Sequence, residues 1–84
     1  SPVVRLNRAV AVAMAVGPEA GLALVDELRD ELAGYRHVPA TRADLLRRLG
    51  RPAEAAEAYR EALAMTESEA ERRFLTRRLA EVGD

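Results

Sequence analysis

With 84 residues, no cysteine and thirteen basic against fourteen acidic side chains, the chain has room for one small core and none for disulfides or thiolate metal sites. Its net charge of -1 argues against a nucleic-acid binder held by bulk electrostatics. No charged leader precedes an apolar core and no apolar run approaches the roughly 18 residues of a membrane span, so the reading is soluble and cytoplasmic, without a membrane partner.

Helical periodicity dominates and strand alternation is nearly absent, which predicts five helices. The first, about Val3 to Val16, carries Leu6, Ala9, Val10, Ala13 and Met14 at three- and four-residue spacings, and Gly17-Pro18 closes it. Pro18 suits the first turn of the second helix, which runs to about Leu32 with Leu22, Val25, Leu28 and Leu32 inward and Asp26, Glu27, Asp30 and Glu31 outward; Gly34 ends it. The third helix starts near Pro39 and ends at Leu49-Gly50, and the fourth runs from Pro52 to about Met65. Ser68 with Glu71 three residues on is a capping-box signature, so a fifth helix begins there, presents Phe74, Leu75, Leu79 and Val82 to its neighbours and ends at Gly83. Loops this short make neighbouring helices antiparallel.

The stretch "LGRPAEAAEAYREAL" lines one helix face with Ala55, Ala58 and Ala62, which bury little surface but let another backbone come close, with Tyr59 and Leu63 filling the remaining space. Tight helical hairpins of this kind imply a repeat. Gly17, Gly50 and Gly83 are spaced by 33 residues, while a shift of 34 pairs Pro18 with Pro52, Val25 with Tyr59 and Leu28 with Ala62; one extra residue, Arg51, reconciles the two. Such periods belong to stacked helix-turn-helix units.

Ala43, Leu46, Gly50, Ala55, Tyr59 and Ala62 resemble the tetratricopeptide repeat in type and spacing, with Gly21 where the family places an alanine and Glu67 where it places a closing proline. The phrases "SPVVRLNRAVAVAMAVGPEAGLALVDEL", "ATRADLLRRLGRPAEAAEAYREAL" and "SEAERRFLTRRLAEV" together resemble the C-terminal extension of bacterial extracytoplasmic-function RNA polymerase sigma factors. The fold implied is an all-α, tetratricopeptide-like right-handed stack of five antiparallel helices: repeat 1 at about 3–33, repeat 2 at about 38–66 and a capping helix at about 68–82. The opening "SPVV", without an initiator methionine, fits a piece cut from a longer factor.

The role implied is a regulatory domain that modulates transcription initiation through the sigma core, RNA polymerase or a partner protein. In tetratricopeptide arrays the first helix of each pair lines the concave surface, so the resemblance assigns Asn7, Met14, His37, Asp44, Arg47 and Arg48 to a protein-binding groove. Asparagine can hold a backbone amide at donor and acceptor, and arginine can fork onto a carboxylate. Arg8 and Arg42 sit at the shoulder of the same helices. A free-standing peptide-binding adaptor and a homo-oligomerisation module remain alternatives.

Enzymatic chemistry, metals and cofactors are not expected. His37, the single histidine, has no serine, cysteine or second histidine placed to help it, and the acid pairs Asp26/Asp30 and Glu57/Glu61 alternate with arginines on outer helix faces. Charge is uneven: residues 36–51 hold five arginines against Asp44, a net +4. That patch suits either an acidic partner or simple pairing with the acidic second helix. Arg72, Arg73, Arg77 and Arg78 read as the solvated face of a capping helix rather than as a nucleic-acid contact, because glutamates surround them and Phe74 is claimed for the core.

Overall fold

Three of the helices start at proline. Pro2, Pro18 and Pro52 open α1 (Pro2–Ala15), α2 (Pro18–Leu28) and α4 (Pro52–Met65), where a missing amide hydrogen breaks no helical bond. α3 (His37–Arg48) and α5 (Glu69–Gly83) complete the chain. This computed structural model describes residues 1–83, and no strand occurs among them.

The turn between α3 and α4 shows how glycine sets the repeat. Gly50 adopts φ 73°, its N–H reaches the Arg47 carbonyl at 3.0 Å, and the Arg51 N–H reaches back to Leu46 at 3.0 Å. This left-handed C-terminal cap satisfies carbonyls that the helix end would otherwise leave open, at a backbone angle that disfavours a side chain.

Two boundaries differ from the sequence reading. Regular helix in α2 stops at Leu28, short of the expected Leu32, and residues 29–34 continue as turns in which the Leu32 N–H bonds the Leu28 carbonyl and the Tyr35 N–H bonds the Leu32 carbonyl, both at 2.9 Å. These turns still bring Leu32 against the core, so its apolar spacing looked helical. α3 begins at His37, two residues before Pro39, because proline is tolerated throughout a first turn that needs no donor there. The end expected at Gly83 coincides with the last described residue of α5, and Asp84 lies outside the described residues.

Each helix packs on the next in chain order, and α1 also touches α3, which makes an all-α stack of two hairpins and a fifth helix. The radius of gyration of 12.0 Å is what a globular chain of this length requires, roughly 12 Å. Ala55, Ala58 and Ala62 are all buried, with Tyr59 among them fully enclosed. In the first hairpin the approach is closer still. A methyl group added at Gly21 would lie 2.5 Å from the Ala13 Cβ and 2.9 Å from the Ala9 carbonyl oxygen, so the glycine that departs from the alanine pattern is required by the α1–α2 contact.

The apolar spacing of α1 resolves into one inner stripe, Leu6, Ala9 and Ala13, while Val10 and Met14 face outward. In α5, Leu75 is buried and Leu79 and Val82 pack against the core, but Phe74 is 41% exposed. Its expected place in the core is therefore corrected. Phe74 stands about 100° around the helix from Leu75 and lies under the Arg78 guanidinium, 5.2 Å from its ring centre.

Where the tetratricopeptide pattern has a closing proline, a polar knot joins α4 to α5. The Ser68 hydroxyl accepts the Glu71 N–H at 3.3 Å, the Ser68 N–H donates to Thr66 Oγ1 at 3.3 Å, and the Arg72 guanidinium caps the Leu63 carbonyl at 2.9 Å. The Glu71 carboxylate takes the Thr66 hydroxyl and the Nε of Arg36, the residue just ahead of α3, so the last helix is tied to the start of the second hairpin as well as to its own cap. Thr66 and Arg36 hold Glu71 below the usual carboxylate range. A lowered carboxylate contributes stability that is present above that range and fades as the pH falls through the folded value.

Candidate functional site

Helical spacing sorts the outer residues of α1 into a strip. Val3, Asn7, Val10 and Met14 recur at four, seven and eleven residues, all exposed, with Met14 76% exposed. On α3 the spacing of His37, Asp44 and Arg48 forms a matching strip of half-buried and exposed side chains. Because α1 touches α3, the two strips belong to adjoining helices. One is largely apolar and the other ionisable.

The six residues expected to line a groove are not equally free. The Tyr59 ring fills the centre of the core, and its enclosed hydroxyl donates to Asp44 Oδ1 at 2.7 Å. The Arg47 Nε donates to the same hydroxyl at 3.2 Å, and the Arg47–Asp44 ion pair closes the triangle at 3.8 Å. Asp44 and Arg47 therefore satisfy a buried phenol. His37 packs edge-on against Tyr35, with ring centres 5.0 Å apart. Asn7, Met14 and Arg48 make no hydrogen bond or ion pair among the described residues, which leaves them open to a partner.

Burial pushes the Tyr59 hydroxyl up to about 12, with the Asp44 carboxylate adding to the effect. A raised phenol contributes stability that is complete below its ordinary value near 10 and is lost as the pH climbs through about 12. Urea titrations between pH 9 and 12 are expected to show stability falling with alkali in the parent, and falling less steeply in Tyr59→Phe. Equal slopes would mean that the phenol does not couple to folding.

The positive middle segment is mostly consumed by the fold. Arg36 pairs with Glu71, Arg42 with Asp26 of α2 and Arg51 with Glu54, each at 2.8 Å. Arg42 thus pairs with the acidic second helix, one of the two uses open to this segment. No group of three or more histidine, cysteine, aspartate or glutamate side chains is arranged to hold a metal ion among the described residues, and no described helix is long and apolar enough to cross a membrane.

One concavity lies apart from these six residues. A cleft of about 530 Å³ opens between the end of α2, the 29–36 connection, α3 and α4, lined among others by Asp26, Asp30, Tyr35, Arg42, Glu61 and Met65. None of the six groove residues lines it. Its sequence signal is weak: the connection expected between Leu32 and Pro39 is of ordinary length, and which helices wall it depends on packing.

No family profile matches the chain, and no solved structure matches it. An uncharacterized protein of Rhizobium meliloti (strain 1021) is 44% identical to it over 79 residues. That match takes in 94% of this chain but 19% of the relative, so the chain spans about a fifth of the length of the curated relative it matches.

Proposed function

We propose that the chain is a protein-docking module whose α1 and α3 outer strips receive a partner, and that it serves as the C-terminal control domain of an extracytoplasmic-function-type sigma factor. The observation that carries the docking reading is that Asn7, Met14 and Arg48 stand on adjoining helices with no task in the fold, beside exposed Val3 and Val10. Exposed apolar side chains in one strip are characteristic of an interaction surface. The sigma-factor assignment rests on the resemblance of the three sequence phrases. Its partner would be the sigma core, RNA polymerase or a regulatory protein, reached through Met14 and the valines for burial and through Asn7 and Arg48 for orientation.

Deleting residues 1–84 from the full-length factor is expected to change reporter transcription from its target promoter. A milder variant, Met14→Glu with Arg48→Glu, should reproduce the change without unfolding the domain, since both side chains are exposed. Unaltered transcription together with unaltered polymerase binding would overturn the sigma reading. Retained binding of the partner by the double variant would move the docking surface off α1 and α3.

A further inference from the structure

α3 is buried along two stripes. One carries Ala43 and Leu46. The other runs through Val38, Arg42, Leu45 and the C-cap Leu49 at spacings of four, seven and eleven, and its Arg42 Nε donates to Asp26 of α2, in the preceding hairpin, at 2.8 Å. Val38 and Leu45 are buried and Arg42 and Leu49 are half-buried.

The 34-residue shift that pairs Pro18 with Pro52 places Val4, Arg8, Ala11 and Ala15 of α1 at the same four positions. All four are exposed, Val4 to 64%, and Arg8 makes no ion pair or hydrogen bond among the described residues. The stripe therefore repeats the valine and arginine of a face the molecule already buries, with alanines in place of its two leucines and without its occupant. In repeat proteins each unit buries its apolar face only against a neighbour.

We infer that Val4, Arg8, Ala11 and Ala15 form a stacking face for the second helix of one more hairpin of this repeat, carried on the same polypeptide. That helix is acidic and presents a carboxylate to Arg8, as Asp26 does to Arg42. A second copy of this chain fits less well. Its α2 already spends its inner face on α1 and α3, and the outer face of its α5 would bring Arg73 and Arg77 toward Arg5 and Arg8. A relative in which the matched region is 19% of the length has ample chain for another hairpin. The inference holds whether or not the polypeptide serves transcription.

The test uses the intact polypeptide with a cysteine at Ala11, or at exposed Ala64 as reference, and follows maleimide labelling of each site by peptide mass spectrometry. Residue 11 is expected to label at least tenfold more slowly than residue 64 at every protein concentration, and Arg8→Glu should raise the rate at 11 while leaving 64 unchanged. Equal rates at the two sites would overturn the inference. So would protection that disappears on dilution, which would identify a second copy or a separate protein as the occupant. Protection indifferent to Arg8→Glu would overturn the acidic helix.

Discussion

Tyr59→Ala is expected to lower stability by about 3 to 5 kcal/mol. The side chain is fully enclosed at the centre of the core, and its loss leaves a cavity walled by α3 and α4 as well as an Asp44–Arg47 pair without its shared phenol. A domain of this size has roughly 4 to 13 kcal/mol in total, so the loss is a large fraction of it. Tyr59→Phe retains the ring and should cost only about 1 kcal/mol, the net worth of a typical hydrogen bond. Thermal melts followed by circular dichroism separate the two. Comparable losses in both variants would show that the hydroxyl triangle, and not the ring, supports the hairpin contact.

The second large effect is expected at Gly21. In an isolated helix, alanine in place of glycine would gain up to about 1 kcal/mol of helix propensity. Here the new methyl group meets the Ala13 Cβ at 2.5 Å and the Ala9 carbonyl oxygen at 2.9 Å, and the second of these is backbone that cannot rotate away. Overpacking of this kind costs about 1 to 3 kcal/mol, so Gly21→Ala should be net destabilising despite the better helix former. Urea denaturation decides the sign, and a more stable Gly21→Ala would mean that α1 and α2 separate readily. Adding Ala13→Gly should recover only part of the loss, because the carbonyl contact remains.

Gly21 also illustrates what sequence pattern conveys. Read against the tetratricopeptide template it is an irregularity, since the template position holds alanine. In the folded chain it is a consequence of two helices approaching more closely in the first hairpin than alanine allows. The spacing of Ala55, Ala58, Tyr59 and Ala62, by contrast, was legible directly, because four residues at helical intervals share a face whatever they pack against. Phe74 was misplaced for the converse reason. An apolar residue beside Leu75 has two faces available, and only the position of α4 selects Leu75 for the interior and leaves Phe74 to Arg78.

The candidate site divides in the same way. The resemblance could name Asn7, Met14, His37, Asp44, Arg47 and Arg48 because groove positions follow from repeat position. It could not say that Asp44 and Arg47 would be occupied by the Tyr59 hydroxyl, fifteen and twelve residues further on. Nor could it locate the cleft beside Asp26, Tyr35 and Arg42, whose walls come from three helices and a connection.

By itself, the sequence determined the helical class, the five elements, the glycine and proline punctuation between them and the small-residue face of α4. These depend on backbone sterics and on periodicity within about a dozen residues. Tertiary structure alone decided which arginines are spent on Asp26, Glu71 and Tyr59 and which remain open, how close α1 and α2 approach, and which stripe of α1 lacks a neighbour. Those outcomes depend on distances between segments far apart in the chain, where one carboxylate or methyl group competes with several partners and geometry selects among them.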